Sequence, residues 1–446
     1  MKGQIKIVAY ALVAGLELAQ PVWAQGQSST PPSGGVLSLK QAVATALEKQ
    51  PLLEAAKHTL QAAEARTDQA RAPFYPQVGA SAIETSGALR VNALLRPSGS
   101  LIQPNQDNFI SGLSASQLLY DFGQTAHRVA TNRLTAQALG DDLLTQKANV
   151  ILNVQRAYYE GLKRKRLVQI AEDTVRERGV IKQRVESLYR QQLKSKLDVD
   201  LVQVELSKAE VDLIRAKNDL QASYAALNNA MGVEGPEEYT LEDLPVTIAG
   251  PRPLDNLLAV GQEKRPELLA ARERIQAAEQ RIKAAKSQNF PTIQAVGSAG
   301  DAEQFSGPPS PREGGWWGAG VAMTVPLFTG FLIQNQVREA IEQYQEAQSS
   351  ARTLEQAVRL DVTNAFLTVS TLAQQIHAIE VLVTQTREAL QLAQERYRLG
   401  LSSIVEVTQG EVAVTSAETS LAEAQYDYKT AEATLAYTVG EGYQTF

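Results

Sequence analysis

From Val199 onward, apolar residues recur every seven positions. Val199, Leu206, Leu213, Leu220 and Leu227 form one row, and Val202, Ala209, Ala216, Ser223 and Ala230 form a smaller row beside it. The design returns as Val407, Val414, Leu421, Tyr428 and Leu435 beside Gly410, Ala417, Ala424 and Ala431. A large row next to a small row marks helices that meet closely along one seam. Each leucine buried there contributes roughly 1.5–3 kcal/mol. An ordinary bundle core has such a seam too, but not these lengths. Helical periodicity runs over about 124–190 and 331–397, and at 1.5 Å per residue each is about 100 Å of helix. Each long helix turns into a shorter one, over about 198–231 and 406–439, and each half opens with another short helix, over about 38–72 and 253–288. Stacked end to end, the two short helices match the long one, so the pattern predicts a rod of paired helices.

Between the opening helix and the long helix of each half the period changes. Strand-like runs occupy Gln77–Val91, Phe109–Tyr120, Thr292–Gly300 and Trp316–Leu327. Each reaches the roughly 9–11 residues that cross a bilayer as a tilted strand. In the last run Trp317, Ala319, Val321, Met323, Val325 and Leu327 face one way, and Gly318, Gly320, Ala322 and Thr324 face the other. One apolar face and one small or polar face is the wall pattern of an outer-membrane barrel. Loops rich in Pro, Gly, Asn and Ser, Asn92–Asn108 and Glu303–Gly315, join the strands in pairs. Membrane barrels have about eight strands or more, so one chain closes none and the barrel must be shared between copies. Pro73, Pro76 and Pro291 mark the change from helix to strand, because proline fixes φ and removes a donor. Asp121-Phe122-Gly123 and Phe328-Thr329-Gly330 mark the change back.

The order of elements is written twice. Gln50-Pro51-Leu52-Leu53-Glu54-Ala55-Ala56 returns as Arg265-Pro266-Glu267-Leu268-Leu269-Ala270-Ala271. Gln61-Ala62-Ala63-Glu64 returns as Gln276-Ala277-Ala278-Glu279, and Tyr75-Pro76 as Phe290-Pro291, all at one offset. After a slip between Pro76 and Leu119 a second offset holds. Leu119-Tyr120 then matches Leu327-Phe328, Ala157-Tyr158 matches Ala365-Phe366, Tyr189 matches Tyr397, Ser195 matches Ser403 and Gly232 matches Gly440. Repetition on this scale sets the plan: a first structural repeat over 38–232, a connector rich in Pro and Gly over 233–252, and a second repeat over 253–446.

The chain of 446 residues has no cysteine. That removes disulfides, thiolate metal sites, thiol nucleophiles and a cysteine-borne lipid anchor together. With 43 basic against 49 acidic residues it carries no nucleic-acid footprint. No apolar run reaches the roughly 18–20 residues of a membrane-spanning helix. Lys2 and Lys6 precede an apolar stretch, Ile7 to Leu18, broken only by Glu17, and Val22-Trp23-Ala24 offers the small residues of a cleavage site. This reads as a signal peptide over 1–24, followed by a flexible lead-in over 25–37; a buried N-terminal helix is the alternative.

Two turn segments carry a family resemblance. One is Leu188-Tyr189-Arg190-Gln191-Gln192-Leu193-Lys194-Ser195-Lys196-Leu197-Asp198-Val199, and the other is Tyr397-Arg398-Leu399-Gly400-Leu401-Ser402-Ser403-Ile404-Val405-Glu406-Val407. With the doubled, proline-capped opening helices they resemble the TolC-type outer-membrane efflux proteins, also called outer membrane factors, over essentially the whole mature chain. The resemblance implies a mainly α fold with a small β part. Long antiparallel helical hairpins would form an α-barrel tunnel into the periplasm, and four strands per chain would contribute to a twelve-stranded β-barrel shared by a homotrimer in outer-membrane lipid. It implies no enzyme and no cofactor, but a passive exit duct of a tripartite efflux system for small molecules such as drugs or other toxic compounds. A periplasmic adaptor protein and an inner-membrane pump would be its partners, and nucleic acid would not. The same duct serving type I protein secretion is the nearest alternative. A periplasmic coiled-coil adaptor would need one hairpin and a β-rich body. A cytoplasmic coiled coil is opposed by the signal segment and the strands.

The resemblance also places the periplasmic entrance at the hairpin tips. Glu406 and Gln409 stand where the family often carries two pore-facing acids one turn apart, and only the first is acidic here. Tyr397 and Asp198 match an inner tyrosine and an outer aspartate that meet in the closed gate. Ser402 stands at the position of the gate arginine, so the charged half of that latch is missing. Asp198 also stands where an N-terminal helix cap would. Gln192, Leu193 and Ser195 of the outer turn, with Gly400, Leu401 and Ser403 of the inner, are the expected adaptor contacts. Gly400 suits the positive φ after a helix end; its counterpart Gln192 does not, so the outer turn is expected to differ. Elsewhere, His58, His127 and His377 fall on different levels of the rod and make no metal site. The run Gly314 to Gly320 lacks the helix that a phosphate cradle needs. Lys163-Arg164-Lys165-Arg166 reads as a solvated face, or else as a contact for an acidic periplasmic partner.

Overall fold

The computed structural model describes residues 36–87, 106–234, 240–243, 245–248, 250, 252–304 and 313–442. The signal segment, nearly all of the lead-in, part of the connector and the tips of both polar loops lie outside the described residues. In chain order the elements are β1 (Val36–Leu37), α1 (Leu39–Lys49), α2 (Pro51–Arg71), β2 (Gln77–Gly87), β3 (Gln106–Tyr120), α3 (Gln124–Arg190), α4 (Lys196–Met231), β4 (Thr240–Leu241), α5 (Leu254–Lys264), α6 (Pro266–Ser287), β5 (Thr292–Gln304), β6 (Glu313–Thr324), α7 (Leu332–Arg398) and α8 (Ile404–Thr438).

The opening run of each half is two helices, not the single one the periodicity predicts. Pro51 and Pro266 are the cause: proline brings no N–H to the ladder and drives the preceding residue out of the helical region. Gln50 (ψ 116°) and Arg265 (ψ 120°) are extended accordingly. The long helices α3 and α7, 67 residues each, lie where the pattern puts them. Near the strands the lateral order is α2, α3, α6, α7; at the far end it is α4, α3, α8, α7. The short helices do meet end to end beside the long ones. α4 and α8 are followed by the left-handed residues Gly232 and Gly440, which press against the proline breaks. A Cβ on Gly232 would lie 2.9 Å from the Lys49 carbonyl oxygen, and one on Gly440 3.0 Å from the Lys264 carbonyl carbon.

At this waist a core gathers Val43, Leu53, Val154, Tyr158, Leu162, Leu227, Met231 and Leu241. The parallel pair β1–β4 covers it, and the Tyr158 hydroxyl lies 2.8 Å from the carbonyl oxygens of both Leu37 and Glu242. The first three cations of the basic run are half-buried and paired rather than a solvated face, and only Arg166 is exposed. Lys163 binds Glu160 and Asp427, Arg164 binds Glu160 and Asp219, Lys165 donates to the Leu241 carbonyl and Arg166 to Gln169. Consecutive helical residues point in different directions, so Lys163, Arg164 and Lys165 reach different neighbours and tie α3 to α8, α4 and β4, while Arg166 stays on its own helix. Along the heptad seam Leu206, Leu227, Val407, Val414 and Tyr428 are buried, while Leu213, Leu220 and Leu421 are half-buried.

The four long strands form one antiparallel sheet in the order β2-β3-β5-β6. β3 pairs with β5, so the sheet joins the two halves. β6 stops at Thr324 rather than Leu327, since Pro326 cannot donate to the ladder. On it Trp317, Val321 and Met323 are exposed, as are Val78 and Ile83 of β2 and Leu113 of β3. At the foot of the sheet Phe122 stacks on Phe290 at 5.1 Å and meets Tyr120 edge-on at 4.7 Å, an arrangement suited to the edge of a bilayer. No unbroken apolar run of membrane-helix length is present; the most apolar stretch of α7 is interrupted by Gln374, Gln375, His377 and Glu380. Leu360, Leu367, Val381 and Leu382 of this helix are exposed, on the last helix of the lateral order.

Candidate gate at the hairpin tips

The two hairpin turns are built alike. In the inner one the N–H of Gly400 donates to the Tyr397 carbonyl at 3.0 Å and that of Leu401 to the Arg396 carbonyl at 2.8 Å. In the outer one Gln192 donates to Tyr189 at 2.8 Å and Leu193 to Leu188 at 2.9 Å. These are the paired bonds of a helix ending in a left-handed residue, and Gln192 (φ 62°) adopts the same region as Gly400 (φ 76°). The expected difference between the turns is therefore absent. Hairpin closure dictates the dihedral, and a side chain there costs only about 1–2 kcal/mol. Gln192→Gly is accordingly expected to stabilise the outer hairpin by about 1 kcal/mol, seen as a higher guanidinium midpoint of the assembled protein.

Beyond the outer turn, Ser195 caps α4. Its Oγ accepts from the Asp198 N–H at 3.2 Å, and Asp198 Oδ2 accepts from the Ser195 N–H and hydroxyl at 3.0 Å each. Asp198 is thus turned to its own helix. The hydrogen bond expected from Tyr397 is not made: the phenol oxygen of Tyr397 is buried without a partner. Burial, and then the charge of Asp198, push that phenol up to about 12. What crosses between the hairpins is Lys194, whose Nζ stands 3.9 Å from the Tyr397 ring centroid. Beneath it Val185, Val202, Tyr397, Ile404 and Val407 close an apolar plug.

The remaining tip residues are spread around this contact. Ser403 begins α8 but makes no side-chain cap; Glu406 pairs with Arg396 at 3.7 Å. Ser402 Oγ donates to the Ala393 carbonyl at 3.4 Å, and Arg398 is held by Glu395 at 2.9 Å, so neither reaches Asp198. Gln409, Leu193, Leu401 and Ser403 are exposed. Sequence reasoning brought Tyr397 and Asp198 to the same joint but missed Lys194. A lysine in a polar turn carries no signal until the partner ring is placed under it.

The hairpins, the proline-broken opening helices and the four-stranded sheet agree with a comparison of the whole chain. The outer membrane efflux protein family model matches residues 42–233 and 258–441. The chain belongs to the outer membrane efflux protein family. This efflux protein is therefore an outer-membrane channel protein with a helical tunnel on the periplasmic side, not an enzyme. Outer membrane protein TolC of Escherichia coli (strain K12) is 23% identical over 390 residues, covering 82% of this chain and 75% of that protein. Proteases secretion protein PrtF of Dickeya chrysanthemi is 22% identical over 358 residues, covering 75% and 73%. Among solved structures, the outer-membrane channel OprN superposes with a TM-score of 0.79 at 22% identity, covering 91% of this chain and 90% of that one. At that identity the match speaks for the fold of this efflux protein alone.

Proposed function

We propose that three copies of this chain form a passive duct through the outer membrane, the exit of a tripartite system that expels small toxic molecules. The observation that carries this reading is a pair of unfinished edges. Among the described residues β2 and β6 each lack a neighbour on one side. Val204, Val211 and Ile214 of α4 are exposed at one flank, and Leu360, Leu367, Val381 and Leu382 of α7 at the other. An open strand edge is a template for another strand. β6 of one copy then continues into β2 of the next, and α7 packs on the next copy's α2 and α4. A head-to-tail contact of this kind generates a ring if its rotation closes. The repeats over 38–232 and 253–446, joined by 233–252, each supply one strand pair and one hairpin.

Native mass spectrometry in detergent is expected to give a trimer, and a monomer alone would overturn the shared barrel. Gln192, Leu193, Ser195, Gly400, Leu401 and Ser403 offer the adaptor a polar rim around two exposed leucines, and an inner-membrane pump completes the path. Tyr397, Ser402 and Asp198 belong to the gate, and Glu406 and Gln409 to the entrance. Three copies of Glu406 favour cations in a narrow mouth, tempered by Arg396 beside each. Glu406→Gln is expected to bring the cation-to-anion permeability ratio towards one, read from reversal potentials in a salt gradient. An unchanged ratio would take Glu406 out of the pore. Protein secretion is the second reading, favoured by the likeness to PrtF. A strain lacking the gene separates the two: sensitivity to toxic compounds supports efflux, and loss of one exported protein supports secretion.

A further inference from the structure

About two helical turns inside the gate lies a second joint between the hairpins, and it is polar. Glu411 of α8 is only 7% exposed, and its Oε1 has no hydrogen-bond partner. Arg178 of α3, also buried, is turned towards α4: its Nη1 donates to the Glu205 backbone carbonyl at 2.7 Å and lies 3.4 Å from Glu205 Oε2, while its Nε is buried without a hydrogen-bond partner. Glu411 therefore faces Arg178 and Glu177 from α3 and Glu205 from α4 without an ion pair of its own. Lys208 holds Glu205 at 2.6 Å, and Arg387, the cation that α7 brings to this region, is held by Glu418 at 2.9 Å. Just beyond, the hydroxyls of Thr174 and Thr415 approach to 3.5 Å across α3 and α8. On the tip side the apolar plug of Val185, Val202, Ile404 and Val407 excludes water.

We propose that Glu411 is a proton-binding site that couples pH to opening of the tunnel, its neutral form holding the inner hairpin against the outer one and its carboxylate releasing it. The proposal rests on the reading of the chain as a duct gated at its tips. A neutral acid can be buried here at little cost, whereas a carboxylate without a partner is strongly disfavoured in a dry site. Burial pushes Glu411 up to about 7; Arg178 pulls it partly back, and Glu177 and Glu205 push it further. In a released hairpin the same acid meets water and returns to its ordinary 4.5. The packed joint thus binds the proton more tightly than the released one. Its stability is complete below the ordinary value, falls as pH rises from 4.5 to about 7, and is flat above. Over that window the packed-to-released ratio is expected to fall on the order of a hundredfold per copy.

The test uses the full-length assembly in planar bilayers, with open probability measured between about pH 4.5 and 8, a range that brackets both values. The parent is expected to open progressively as pH rises to neutrality and then to level off. Glu411→Gln keeps the shape of the neutral acid and is expected to stay closed at every pH. The chain has no cysteine, so the double variant Thr174→Cys/Thr415→Cys supplies a lock between α3 and α8. Oxidised, it is expected to be closed and insensitive to pH; reduced, it is expected to regain the parental response. A flat parent profile overturns the proposal, as does a Glu411→Gln channel that keeps the response or an oxidised lock that still responds. A parent that conducts at no pH removes the duct reading itself, and the proposal with it.

Discussion

Tyr397→Ala is expected to raise single-channel conductance severalfold, while Tyr397→Phe stays close to the parent. The ring of Tyr397 is 7% exposed and sits in the plug between the hairpins. Deleting a buried aromatic ring costs about 3–5 kcal/mol, all of it drawn from the closed tip. Phenylalanine keeps the ring, and with it the cation–π contact of Lys194, worth about 0.5–2 kcal/mol. The phenol oxygen has no partner to lose. Asp198→Ala is expected to act differently: it removes the capping box of α4, costs about 1 kcal/mol of thermal stability, and leaves conductance nearly unchanged. If Tyr397→Phe opened the channel as far as Tyr397→Ala, a phenol–carboxylate latch absent from this geometry would have to hold the gate.

Leu227→Lys is expected to abolish assembly. Leu227 is 0% exposed, at the waist where α4 meets α1 and α3. The substitution forfeits about 1.5–3 kcal/mol of burial and places an ammonium in the apolar cluster that holds Leu53, Tyr158 and Met231. The total is several kcal/mol, comparable with the whole stability of many domains. Native mass spectrometry should find no trimer. Leu213→Lys and Leu421→Lys occupy the same heptad rows but are half-buried; their stems can lead the charge to water, so both are expected to assemble with lowered melting temperatures. A Leu227→Lys protein that assembles and melts like the parent would show that the seam is drawn in the wrong place.

The turn at Gln192 shows how far a local reading carries. Its residue type argues against a left-handed dihedral, yet the hairpin takes one, because the packing of two long helices outweighs a cost of about 1–2 kcal/mol. The basic run from Lys163 to Arg166 shows the converse. It looks solvated as a string, and only the neighbours Asp219, Leu241 and Asp427, far along the chain, turn it into a tie.

What the sequence by itself determined is periodic or repeated: the helix lengths, the heptad seam, the strand positions, the duplication and the family. These follow from spacing along one chain, where a period of 3.6 or 2 decides which residues share a face. Even the proline breaks at Pro51 and Pro266 were written there, although the unbroken periodicity hid them. The tertiary structure alone decided the pairing of β3 with β5, the contact of Lys194 with Tyr397, and the burial of Glu411 without an ion pair beside an Arg178 that bonds Glu205. Each depends on how one hairpin is rotated and shifted against the other. Packing of whole helix faces sets that rotation, and no spacing within a single helix encodes it.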